Sequence, residues 1–168
     1  MRRIVFVCTG NTCRSPMAMA IFNGIASLEP PEFGYEAVSA GIAVSGSNPP
    51  SINAVLAVRD FSRVDMTKHR AHFLSQAEIE EAYLVLTMSL SHKHYILSMF
   101  PGAYQKVFSL KEYTYDMPED HDKNGAPDTN EFSSDIADPY GGSLWDYKLC
   151  AQEISRAVEK LVIKLKKS

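Results

Sequence analysis

The chain has little of what would mark it as secreted, membrane-spanning or nucleic-acid-binding. Only three of its 168 residues are cysteine, at positions 8, 13 and 150. So few, and an odd number, exclude a disulfide-stapled framework and fit a reducing compartment. No apolar run approaches the ~20 residues that cross a bilayer. Residues 1–8 carry two arginines before an apolar stretch, but that stretch is too short for a signal peptide. The expected location is therefore cytoplasmic, with no membrane partner. No basic stripe interleaved with aromatics is present, and the net charge is −3, so nucleic acid is not an expected partner. Internal repeats and linker-like segments are absent as well. Residues 1–168 are read as one domain and a monomer, with ordinary globular composition: 45% hydrophobic and 22% charged.

Charge is unevenly spread. Residues 112–135 hold eight acids against one base, Lys123, which leaves the rest of the chain net positive. The stretch 111–138 reads as a long loop, rich in Pro, Gly, Asp and Asn, with no element of its own.

The organising stretch is 4–16. A β-branched apolar run, Ile4 to Val7, stops at Cys8. Ser15-Pro16 then opens a helix over 17–28, with serine as N-cap and proline at the first helical position. Strand, tight loop, helix is the arrangement that places a ligand over a helix N-terminus. Cys8 and Arg14 bracket five residues. A loop so wound turns successive N–H groups inward as an anion nest. Gly10 and Asn11 are the residues expected to take the positive φ values that the nest needs. Arg14 adds a planar fork matching two phosphate oxygens. A helix N-terminus and a neighbouring arginine favour a thiolate, the form that attacks, which makes Cys8 the candidate nucleophile.

Spacing alone does not select this loop. Cys150 and Arg156 stand equally far apart, but no strand or glycine accompanies them. Tyr147, Cys150, Ile154, Val158, Leu161 and Leu165 recur at helical steps, so Cys150 reads as a buried small hydrophobe.

Val-Cys-Thr-Gly-Asn-Thr-Cys-Arg-Ser-Pro-Met-Ala at 7–18 resembles the signature of the low-molecular-weight protein tyrosine phosphatases. The late Asp-Pro-aromatic motif of that family is matched by Asp138-Pro139-Tyr140. The two motifs lie near opposite ends of the chain, so the resemblance covers nearly all of it. It implies a phosphatase whose loop, Thr9, Gly10, Asn11, Thr12, Cys13, Arg14 and Ser15, binds phosphate. It further implies Cys8 as nucleophile, Arg14 as phosphate ligand, Asp138 as general acid and then base, and Tyr140 as a pocket wall. Ser15 would donate to the Cys8 thiolate. Ser39, in the Ser-Ala-Gly at 39–41, would bond to Asn11, and His69 would support that network. His72 stands where the family carries an arginine, so that arginine's ion pair is in doubt. Neither metal nor organic cofactor is required, and the partners are phosphorylated proteins.

The remaining pattern alternates strands and helices, an α/β fold with a parallel sheet. Strands are expected at about 3–8, 35–40, 83–88 and 105–110, and the resemblance implies the order 2-1-3-4 with helices on both faces. Helices are expected at 52–61, 75–81, 91–99 and 145–167, with Ser75 and Glu78 at capping-box spacing. His69 and His72 lack further ligands for a metal tetrad. His92-Lys93-His94 reads as a solvated segment.

Two alternatives to a phosphatase stay open: an arsenate reductase of the same fold, and an oxyanion-binding or redox-sensing module without turnover. The substrate is also open. Thr12 sits at the pocket mouth, where tyrosine-specific relatives carry a bulky aliphatic residue. A threonine there resembles the bacterial protein arginine phosphatases. Cys13 is either a partner for a reversible disulfide with Cys8 or a small side chain packed behind the loop.

Overall fold

The computed structural model describes residues 1–115 and 133–168. The acids at 116, 119, 120, 122, 128 and 131 and Lys123 lie outside the described residues. Four strands, β1 (Arg2–Cys8), β2 (Tyr35–Gly41), β3 (Leu84–Thr87) and β4 (Val107–Ser109), form a parallel sheet in the order β2-β1-β3-β4. Helices α1 (Arg14–Ala26), α2 (Ile52–Val58), α5 (Leu110–Thr114) and α6 (Leu144–Leu165) contribute to the core on one face. The other face is covered by α3 (Gln76–Glu81) and α4 (Leu90–Met99).

The central strand shows why 4–8 is apolar without a break. Ile4, Phe6 and Cys8 enter the core shared with α1 and α6, while Val5 and Val7 enter the core shared with α3 and α4. A strand covered on both faces has no solvent side for its alternation to mark. Each of these apolar side chains is essentially out of water, worth roughly 1.5–3 kcal/mol apiece for the larger ones. The expected α6 face is buried throughout, from Tyr147 through Cys150, Ile154, Val158 and Leu161 to Leu165. The Ser75–Glu78 capping box forms at the start of α3.

Three expectations need correction. Residue 110 leaves β4 to begin α5, which runs on to 114 within the stretch read as a loop without an element. A Ser109–Glu112 capping box nucleates this short helix, and buried Leu110 anchors it. Glu112, one of the eight acids counted in 112–135, is buried and ion-paired to Lys93 at 2.7 Å. Helix α1 starts at Arg14 with Cys13 as N-cap and no side-chain cap, so Ser15 and Pro16 sit inside its first turn. The Ser15 hydroxyl is engaged elsewhere, as described below. Gly24, which costs helix propensity, is needed because a Cβ there would run into the Ser62 side chain. Lastly, His92 is not solvated. It is buried at the start of α4.

Candidate active site

The loop between β1 and α1 is shaped around Asn11. This residue is wholly buried and is the one described non-glycine residue at positive φ, +57°. Left-handed backbone costs roughly 1–2 kcal/mol for an L-residue, and four hydrogen bonds hold it there. The Asn11 Nδ2 donates to Ser15 Oγ (2.9 Å) and Ser39 Oγ (3.0 Å). Its Oδ1 accepts from the His72 N–H at 3.2 Å, and its carbonyl accepts from His69 Nε2 at 2.9 Å. A carbonyl only accepts, so the His69 proton is on Nε2. Burial holds His69 below its ordinary pKa and keeps it neutral. The expected Ser39 and His69 contacts are therefore both present. Gly10 does not share the strain: its φ is not positive, and a Cβ there would meet only Thr12 Oγ1 at 3.8 Å. Gly41 is the demanding glycine, because a Cβ there would lie 2.7 Å from the Thr9 carbonyl.

Cys8 ends β1 at the floor of an open cavity of about 690 Å³. Its Sγ lies 2.9 Å from Ser15 Oγ, whose lone pair receives Asn11 Nδ2. The hydroxyl proton is thereby left for the sulfur or for the more distant Ala40 carbonyl at 3.3 Å. The first-turn N–H groups of α1 have no intrahelical acceptor, and Cys13 offers none from its side chain. They remain as donors around the cavity floor. Thr9, Gly10, Thr12, Cys13, Arg14, Asp138 and Tyr140 all line the cavity, whereas Asn11, Ser15, Ser39 and His69 support it from behind.

Arg14 is buried and divides its guanidinium. Nη1 donates to the Ile136 carbonyl at 2.9 Å, and Nη2 lies 3.4 Å from Asp138 Oδ2. The Asp138 Oδ1 accepts from the Tyr140 N–H at 3.1 Å, a local turn that stiffens Asp-Pro-Tyr. The segment before Asp138 is anchored independently. Ile136 N donates to the Met88 carbonyl at 2.7 Å, and Asp135 Oδ1 accepts from Leu90 N at 2.8 Å. His72, in the place of the expected arginine, pairs with Glu78 at 2.8 Å. Sequence reasoning missed Tyr147, Asn48 and Ser51 on the cavity wall, and Ile136 and His92 behind it, and saw Asp135 only as a second candidate acid after Asp138.

Among the described residues no group of three or more His, Cys, Asp or Glu could hold a metal ion, and 69–72 is not helical. No helix among them is long and apolar enough to cross a membrane. Cys150, with Sγ 3.6 Å from the Ala137 carbonyl and its thiol pushed up to about 12 by burial, is poorly suited to a redox relay.

A family model described as "Low molecular weight phosphotyrosine protein phosphatase" matches residues 3–168. The chain belongs to that family. A protein-arginine-phosphatase of Bacillus subtilis (strain 168) is 37% identical to this low-molecular-weight phosphatase, over 98% of this chain and 97% of its own length. Among solved structures, the YwlE arginine phosphatase of Geobacillus stearothermophilus superposes with a TM-score of 0.81 at 32% identity, covering 99% of this chain and 94% of that one. A low-molecular-weight protein tyrosine phosphatase of T. tengcongensis superposes with a TM-score of 0.81 at 36% identity, over 98% and 99%. This phosphatase therefore acts on phosphorylated proteins by the cysteine-based chemistry of its family, which sets aside the arsenate-reductase and non-catalytic alternatives.

Proposed function

We infer that this low-molecular-weight phosphatase hydrolyses phosphoarginine in proteins, with Cys8, Arg14 and Asp138 as its catalytic residues. The observation that carries the substrate reading is Thr12. Its half-buried side chain lines the cavity beside Cys13, with Oγ1 3.7 Å from Sγ. A hydroxyl at this wall suits a polar leaving group better than the face of a phenyl ring. The arginine phosphatases among the relatives support the same reading.

In the reaction we envisage, the substrate phosphoryl group takes the α1 N–H donors and the Arg14 fork, competing with Asp138 for the guanidinium. Freed of Arg14, Asp138 in its protonated form faces the leaving group. The Cys8 sulfur attacks phosphorus and the P–N bond breaks. Asp138 delivers its proton to the departing nitrogen, so arginine leaves as guanidinium. Water then attacks the cysteinyl-phosphate, Asp138 takes the water's proton, and the S–P bond breaks. Ser15 donates to the sulfur as it leaves. The chain works as a cytoplasmic monomer on this reading and uses no cofactor.

The experiment is Thr12→Ile, assayed on matched phosphoarginine and phosphotyrosine peptides. The added apolar surface should raise kcat/KM for phosphotyrosine and lower it for phosphoarginine, each by the ~10–200-fold that one pocket methylene is worth. A wild type that prefers phosphotyrosine, with a ratio unmoved by the substitution, removes Thr12 as selector. Tyr140, largely exposed at the rim, stacks on a phenyl ring as readily as on a guanidinium and so selects neither substrate.

A further inference from the structure

His92 is one of the few buried polar side chains the phosphatase chemistry has not absorbed. It is 5% exposed, and its Nε2 lies 2.9 Å from the hydroxyl of Thr9, the residue that follows Cys8. Its Nδ1 is buried and meets no partner among the described residues. Those two facts assign the tautomer. A stranded N–H is costlier than a stranded lone pair, so the proton sits on Nε2 and is donated to Thr9 Oγ1. The hydroxyl's own proton is then free to turn elsewhere. Thr9 is exposed on the cavity wall, and its carbonyl is already fixed by the N–H groups of Ile42 and Ala43 at 3.1 and 3.0 Å. Its β-branched side chain has few rotamers, and the contact with His92 selects one.

We propose that His92 is a positioning residue for the reaction: by donating to Thr9 it turns the Thr9 hydroxyl into a fixed donor at the cavity wall, aimed at the transferring phosphoryl group. A donor held in place before the reaction stabilises developing charge without reorganising. The charged neighbours of His92 are Arg14, which opposes its protonation, and Asp135 and Asp138, which favour it. Burial prevails and pushes its pKa down to about 4, so the donor tautomer persists at neutral pH. The proposal rests on Cys8 and its loop taking the phosphoryl group.

Four variants test it on p-nitrophenyl phosphate. His92→Leu and exposed Thr9→Val should each lower kcat about tenfold with KM changed less than threefold. The double variant should be no slower than either single one. His92→Gln, whose amide nitrogen reaches the position of Nε2, should recover most of the loss. Multiplying losses in the double variant, a Gln variant as slow as Leu, or a Thr9→Val enzyme as fast as wild type would each overturn the proposal. Imidazole ¹⁵N shifts read the tautomer without turnover. An Nε2–H signal at pH 7 supports the assignment and an Nδ1–H signal overturns it, whatever the activity of Cys8 proves to be.

Discussion

Asp138 has both oxygens committed, one to its own turn and one to Arg14. Its acid role is therefore separable from substrate binding. Asp138→Asn keeps the turn acceptor but carries no proton to donate. Turnover should fall about 10²–10⁴-fold on a substrate with a poor leaving group, and much less on nitrophenyl phosphate, whose leaving group needs no proton. Inhibition by inorganic phosphate should not weaken, since the lost carboxylate only competed for Arg14. Equal losses on both substrates would take the acid's role from Asp138. Cys13 is free, buried, and touches Tyr147 Oη at 3.4 Å. Mild peroxide should inactivate the enzyme through a reversible Cys8–Cys13 disulfide in place of an irreversible sulfonic acid. Peptide mapping would locate it. Cys13→Ser should lose thiol-reversibility, and full recovery in that variant would show that Cys13 protects nothing.

Between elements, the segment carrying Asp138 is tied to the opening of α4. Asp135 is too far committed to Leu90 N to serve as a spare acid; it is the clasp that fixes where the Asp138 turn begins. Asp135→Ala exposes the first N–H of α4 and should cost about 0.5–2 kcal/mol of stability, the range of a lost helix-cap acceptor. It should also lower kcat on poor leaving groups more than it raises the phosphate inhibition constant, because Arg14 and the loop remain in place. Denaturant titration and leaving-group kinetics on one sample check both. An unchanged kcat would mean that the Met88–Ile136 bond and Arg14 hold the turn without help. The short α5 belongs to the same scale: five residues form a helix because Ser109 and Glu112 cap each other and Lys93 neutralises the buried carboxylate.

Across the whole molecule, two histidines are held below their ordinary pKa by burial, His69 and His92. Both are neutral in the folded protein and charge more readily when it unfolds. The unfolded chain therefore binds more protons below pH ~6.5, and stability falls as the pH drops from there through about 4, the folded value for His92. Each histidine contributes at most about 1.4 kcal/mol per pH unit in that window. Asp65 and Glu78, held below their ordinary values, add a further loss only at lower pH. Thermal melts between pH 8 and 4 should show a decline beginning near 6.5, and His92→Gln should flatten it. A curve level down to pH 4.5 would exclude the two histidines as the source.

The sequence by itself determined the parts whose logic is local. Ile4 to Val7 could only be a buried strand. Cys8 through Arg14 compresses nest, strain site and anion ligand into seven residues, and Asp138-Pro139-Tyr140 carries its own stiffness. The face of α6 and the alternation that yields the parallel sheet were legible because they depend on spacing along one element. Tertiary structure decided where polar side chains found partners. Ser15 was read as a cap that also donates to Cys8; it makes the Cys8 contact but does not cap, and its oxygen also accepts from Asn11, since packing against β2 brings Ser39 and Ser15 together on one amide. His92 was read as solvated, but it lies against a residue 83 positions earlier, and Arg14 donates to a carbonyl 122 positions later. A buried hydrogen bond between distant segments offsets desolvation only once the chain has folded. No periodicity or turn chemistry near either residue encodes it.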